Sequence, residues 1–180
     1  MKTTLMAAVS AASVLALSSA AFAECKIGIS MKTLDAPYFA AQEVAAKAHA
    51  EKLGCTVISA DAGHGIHPNY PQLHDPDHRP LLNSGPLLKV NANQRYTTEG
   101  PSTARWLRTC RAAGVPTQPF VSNNSVPCGS TIGPLTATRL GIESVDIGIP
   151  LLSMHSAREL CGVRDPGWLA DGMRAFYTGA

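Results

Sequence analysis

The chain has 180 residues and is 45% hydrophobic and 16% charged, which suits one domain with its own core and excludes a disordered or collagen-like polymer. Its 15 basic and 13 acidic side chains leave a formal charge of +2 with no block of like charge, so the electrostatic footprint of a nucleic-acid partner is missing. Past the N-terminus, no stretch approaches the ~18 apolar residues that a membrane span requires.

The first 23 residues have the pattern of a secretory signal. Lys2 supplies a positive start, Leu5 to Leu17 is almost wholly apolar, and Ala21-Phe22-Ala23 offers small residues to a signal peptidase. Cleavage after Ala23 predicts an exported, periplasmic or secreted chain that begins at Glu24. Glu24 directly before Cys25 argues against a lipoprotein signal, which needs a small residue there. Lys26 to Met31 alternates like a strand, and Asp35 and Pro37 form a helix start. In the helix that follows, Ala41, Val44, Ala45 and Ala48 share one face, Glu43 and Lys47 pair at i, i+4, and Gly54 is the stop. Cys55 to Ala60 then reads as a buried strand, completing a βαβ unit.

Beyond Thr56 the composition shifts to short apolar runs set among Pro, Gly and Asn. The pattern predicts a strand near Leu87 to Val90, a helix from about Ser102 to Ala113 stopped by Gly114, and a strand near Gln118 to Ser122. Pro134 opens a short helix that Gly141 ends. Val145 to Gly148 is a further buried strand, and Pro166 to Tyr177 a closing helix with Trp168 and Phe176. The five cysteines, at 25, 55, 110, 128 and 161, are odd in number and too widely spaced for a CxxC pair. In an exported chain Cys25 and Cys55 are the candidate disulfide, since each opens a strand of the same βαβ unit, and at least one thiol stays free.

Two family resemblances divide the chain. The segment KIGISMKTLDAPYFAAQEVAAKAHAEKLGCTVISADA resembles the opening of periplasmic sugar-binding proteins of the ribose-binding type. That resemblance gives Tyr38 and Phe39 the places of sugar-stacking aromatics, with helix-start packing as the alternative. Four later phrases, SADAGHGIHPNY, HDPDHRPLLNSGPLLKVNANQRY, PCGSTIGPLTATRLG and VDIGIPLLSMHSARELCG, stand in register across about residues 56–177. In that order they closely resemble the C-terminal part of the aspartyl aminopeptidase family of zinc metallopeptidases. The implied organisation is a signal peptide at 1–23, a sugar-binding-like βαβ segment at 24–60 and an aminopeptidase catalytic fragment at 61–180. The two patterns meet within Cys55 to Asp61, which leaves a chimeric gene, a misassembly or an artificial sequence open.

The implied fold is α/β, a partial three-layer metallopeptidase-like domain with a mixed sheet and an N-terminal βαβ unit. The implied activity is removal of N-terminal Asp or Glu from peptides, with two zinc ions as cofactors and a homo-oligomer as in the family. On the motif positions, the resemblance makes Asp61 and His155 zinc ligands on different ions, and puts His64, Lys89 and Tyr96 on the substrate side. Such a site needs about five His and carboxylate ligands and a carboxylate base. The phrases that carry the others in the family, including the general base, precede the SAD phrase and have no counterpart here. Asp35, Glu43 and Glu51 lie in that region but in no such motif, so the resemblance predicts an inactive chain. Glu143 and Asp146, flanking a buried strand near SMHS, are the first candidates for a recruited carboxylate. His74 and His78 have i, i+4 spacing, but Pro76 between them favours a loop and predicts surface residues. An exported fragment of a sugar receptor and a fusion product with no activity are the competing readings.

Overall fold

In the computed structural model the described residues are 26–30, 56–129, 133–134, 137–138 and 141–179. The signal-like segment, Tyr38, Phe39, the first helix and the Cys25–Cys55 pair lie outside them. A five-stranded mixed sheet dominates, in the order β1 (Lys26–Ser30), β2 (Thr56–Ala60), β6 (Ser144–Gly148), β4 (Leu87–Lys89), β5 (Gln118–Phe120). β1, β2 and β6 run parallel, β4 is antiparallel to β6, and β5 is parallel to β4. The parallel β1–β2 register, Lys26 opposite Thr56, is the pairing a βαβ unit produces.

The central strands β2 and β6 are buried along their whole length, as expected of parallel strands covered on both faces. Strand alternation divides their side chains into two groups. Ile58, Ala60, Leu88, Val145 and Ile147 face the main core, together with Trp106 and Cys110 from helix α1 (Gly100–Ala112) and Phe176 from helix α2 (Asp165–Thr178). Leu87 points to the other face and packs with Tyr96, Phe120 and Cys128. By the period of two, Lys89 and Asp146 share that second face.

The helices form for local reasons. At the start of α1 the Ser102 hydroxyl accepts the Glu99 N–H at 2.9 Å, a free donor of the first turn, and Pro101 needs no such partner. Gly114, with φ 65, ends it in the left-handed region. α2 starts at Asp165-Pro166 and ends at Gly179, φ 81. The predicted strands and helices beyond residue 56 occur within one or two residues of their expected bounds. Residues 133–134 and 137–138 are helical, and Gly141, φ 64, follows them as expected.

A three-stranded sheet not foreseen from the sequence lies beside the first: β3 (Gly63–His64), β7 (Pro150–Leu152) and β8 (Leu160–Cys161), in that order. β2 leads into β3 as β6 leads into β7. The two stretches stay paired through the bend, by Asp61 N–H to Ile147 O at 3.0 Å, Gly63 N–H to Ile149 O at 3.0 Å and Gly65 N–H to Leu151 O at 2.8 Å. Gly148 sits at the bend with the Asp61 carbonyl against it, leaving no room for a β-carbon.

Candidate active site

That bend sets the site. Asp61 follows the carboxyl end of β2, where parallel strands of α/β sheets characteristically present ligand-binding groups. Its side chain is 55% exposed. Lys89, the last residue of β4, is buried, and its Nζ donates to Asp61 Oδ2 at 3.3 Å and to the Ala62 carbonyl at 2.8 Å. The same ammonium lies 5.5 Å from the centroid of the Tyr96 ring. Three residues from two separate phrases therefore converge on one point.

Tyr96 lies in the loop between β4 and α1 and is buried edge-on against Phe120, centroids 6.2 Å apart. Its phenol is pushed well above its ordinary range, first by burial and then by the neighbouring Cys128 thiol, so it stays protonated. Cys128 is itself anchored, donating to Ser122 Oγ at 3.1 Å and accepting from Asn91 Nδ2 at 3.3 Å.

The second sheet brings in the histidines. His64 in β3 stands opposite Leu151 in β7, and the turn after β7 carries His155. His64 is held below its ordinary value by desolvation, then by the positive charges of His155 and Lys89. His155 is exposed and left-handed, φ 66, as is Ser153, φ 56. Two non-glycine residues in that region within one turn mark a backbone held against its preference. The His155 N–H donates to the Glu159 carboxylate, which fixes the turn.

Two sequence-based expectations are corrected. His74 is no surface residue. It is 6% exposed, packs edge-on against Phe120 at 5.6 Å, and bridges to Ser122. An adjacent apolar wall rather than its own sequence neighbours buries it. Its Nδ1 has no hydrogen-bond partner among the described residues. His78 is half-buried and bonded to Asp75 at 2.7 Å. Neither Glu143 nor Asp146 is poised as a base. Glu143 is paired with Arg105 at 3.0 Å. Asp146 is buried, and its Oδ2 accepts from Thr97 N at 2.7 Å and Thr97 Oγ1 at 3.1 Å. Alternation along β6 puts Asp146 on the face opposite Val145 and Ile147, and the cover on that second face is what buries it.

The donor set falls short of a zinc site. Among the described residues no group of three or more His, Cys, Asp or Glu side chains is arranged to hold a metal ion. The Asp61 carboxylate is instead engaged by the Lys89 ammonium. No helix among the described residues is long and apolar enough to cross a membrane.

The comparisons with known proteins agree with the four-phrase pattern. A family description, aminopeptidase I zinc metalloprotease (M18), matches residues 33–177. The chain belongs to this family. A Streptomyces coelicolor protein named "Probable M18 family aminopeptidase 2" is 57% identical over 123 residues, 68% of this chain and 28% of the relative. A cryo-EM structure of an Ape4 and Nbr1 complex superposes with a TM-score of 0.67 at 42% identity, covering 70% of this chain and 24% of that one. The dodecamer of S. cerevisiae mApe1 gives 0.60 at 31% identity, covering 69% and 27%. The chain thus spans about a quarter of the length of these relatives. The family match takes in residues 33–60, most of the 24–60 segment for which the sequence suggested a sugar-binding-like origin.

Proposed function

We propose that this chain carries the substrate-side wall and two of the zinc ligands of an aminopeptidase site that releases N-terminal Asp or Glu from peptides, and that by itself it is inactive. The observation that carries the reading is the convergence of Lys89, Asp61 and Tyr96, with Nζ 3.3 Å from the carboxylate and 5.5 Å from the ring centroid. Lys89, His64 and His155 concentrate positive or protonatable groups around one edge, a field suited to an acidic side chain. Asp61 and His155 are the zinc ligands in this reading. Zinc chemistry, the polarising of a scissile carbonyl and the activation of water, would need further ligands and a base beside these two. The chain's own residues hold the substrate carboxylate and orient it. In the same reading the protein is exported, self-associates, and joins segments of separate origin at 24–60 and 61–180. The composition change near Thr56 favours the last point, against a family match that begins at residue 33.

Binding of a peptide with N-terminal Asp, compared with its N-terminal Ala counterpart, tests the wall. The acidic peptide should bind more tightly, and Lys89→Met should erase the preference; equal affinities in the parent chain would sink the reading. Zinc calorimetry should give only weak binding, because most coordination positions are left to water. Turnover of an N-terminal Asp or Glu chromogenic peptide should be absent with added zinc or manganese. Activity lost on chelation and on His155→Ala would show that a base has been recruited and that the chain is not inactive.

A further inference from the structure

The geometry points to Asp146 as a positioning residue for the Lys89–Tyr96 wall, acting through Thr97; the inference rests on reading that wall as the substrate side. Asp146 lies in the middle of β6, the strand between β2 and β4, and is 4% exposed. A buried carboxylate is retained only where its oxygens are satisfied. Here one oxygen takes both the N–H and the hydroxyl of Thr97, at 2.7 and 3.1 Å.

The backbone of Asp146 completes the clamp. Its N–H donates to Thr98 Oγ1 at 3.1 Å, and that hydroxyl faces the Asp146 carbonyl at 3.5 Å. The loop carrying Tyr96 is therefore fastened to the most buried part of the sheet immediately after the ring. Tyr96 in turn lies beneath the Lys89 ammonium, which holds Asp61 and the Ala62 carbonyl. The order of dependence is Asp146, Thr97, Tyr96, Lys89, Asp61.

Gly133 supplies an independent observation. A β-carbon there would come within 2.6 Å of Asp146 Oδ2 and 2.9 Å of Oδ1. Gly133 is thus closed over the carboxylate, and glycine is the residue that lets the backbone approach. The Tyr96 loop, β6 and the backbone at Gly133 meet at one buried carboxylate. Such an arrangement fixes the loop's position far more tightly than loop packing alone.

The test reads the reactivity of the Lys89 amine in the full folded chain, by acylation and mass spectrometry, and needs no catalytic activity. Lys89 should resist acylation in the parent protein. Asp146→Ala should raise its rate roughly tenfold or more, since a lost hydrogen bond to a buried charge increases the population of the open loop by at least that factor. Asp146→Asn should restore protection, because one carboxamide oxygen can accept both Thr97 bonds. Gly133→Ala and Thr97→Val perturb the same clamp and carry the test if Asp146→Ala does not fold. Phe176→Leu, which loosens the opposite face, should leave Lys89 protected. Unchanged reactivity in the folded clamp variants overturns the proposal. So does failure of Asn to protect, or an equal rise in Phe176→Leu. Loss of the acidic-peptide preference with Lys89 reactivity behaving as expected would sink the functional reading and leave the clamp standing.

Discussion

Lys89 sets burial against charge pairing in one side chain. It is buried, yet its partner Asp61 is more than half exposed. Such a pair gains little net stability, since the half-solvated carboxylate needs no cation to stay charged. Lys89→Met keeps most of the volume and removes the desolvated charge. It should leave the thermal midpoint within a few degrees of the parent or raise it, about ±1 kcal/mol in stability, by differential scanning calorimetry. A fall of more than about 3 kcal/mol would make Lys89 chiefly structural. His74 gives a pH-dependent counterpart. Burial, then the nearby His64, depress its titration, while the Gly65 backbone opposes the shift. The unfolded chain takes up a proton near the ordinary value of 6.5, which the folded chain refuses until lower pH. Stability is therefore full above that value and falls as pH drops below it, and His64 acts in the same direction. Urea midpoints should be lower at about pH 5.5 than at about pH 7.5, and His74→Phe should narrow the gap. A midpoint independent of pH across that range would contradict the assignment.

At the scale of elements, the contact of α1 with α2 secures the core face of the sheet. Trp106 of α1 is fully buried, and Gly172 of α2 lies against its indole. A β-carbon at 172 would come 2.9 Å from Cη2 of the fully buried Trp106 ring. Alanine is the better helix former by about 1 kcal/mol, so propensity alone predicts that Gly172→Ala stabilises. Overpacking costs about 1–3 kcal/mol and should win, giving a net loss in denaturant unfolding. A stabilised variant would mean that the helices can separate by a few tenths of an ångström without penalty. The second, smaller sheet obeys a different logic. β3, β7 and β8 are two or three residues each, and they exist because β2 and β6 continue as a pair through the bend at Gly148.

For the molecule as a whole, Asp165 joins segments far apart in sequence. It is fully buried at the start of α2. It accepts the Asn83 N–H at 2.8 Å and the Gly85 N–H at 3.1 Å, while the Arg164 N–H donates to Asn83 Oδ1 at 3.0 Å. The closing helix is thereby tied to the turn that launches β4, and so to the strand that ends in Lys89. Asp165→Ala leaves two backbone donors without acceptors and should cost about 3–5 kcal/mol, read from urea unfolding. Asp165→Asn should recover part of that loss, because one oxygen remains. A cost below about 1 kcal/mol for the alanine variant would show that water replaces the carboxylate.

The family and the strands and helices beyond residue 56 were legible in the sequence. Phrases such as SMHS and SADA are local, and strand alternation and helix stops act over a few residues. Pro134, Gly114 and Gly141 mark boundaries because φ and hydrogen-bonding constraints belong to single residues. The tertiary structure alone decided which groups meet. β3, β7 and β8 are too short to leave a periodic trace. His74 is buried by Phe120, which lies 46 positions away in the chain, so the loop expected from Pro76 misled. Asp146 and Lys89 are polar residues in strand patterns, and only the sheet order, with β6 between β2 and β4, makes one a clamp and the other the neighbour of Asp61. Burial and charge pairing depend on residues distant in sequence, and no local pattern encodes that distance.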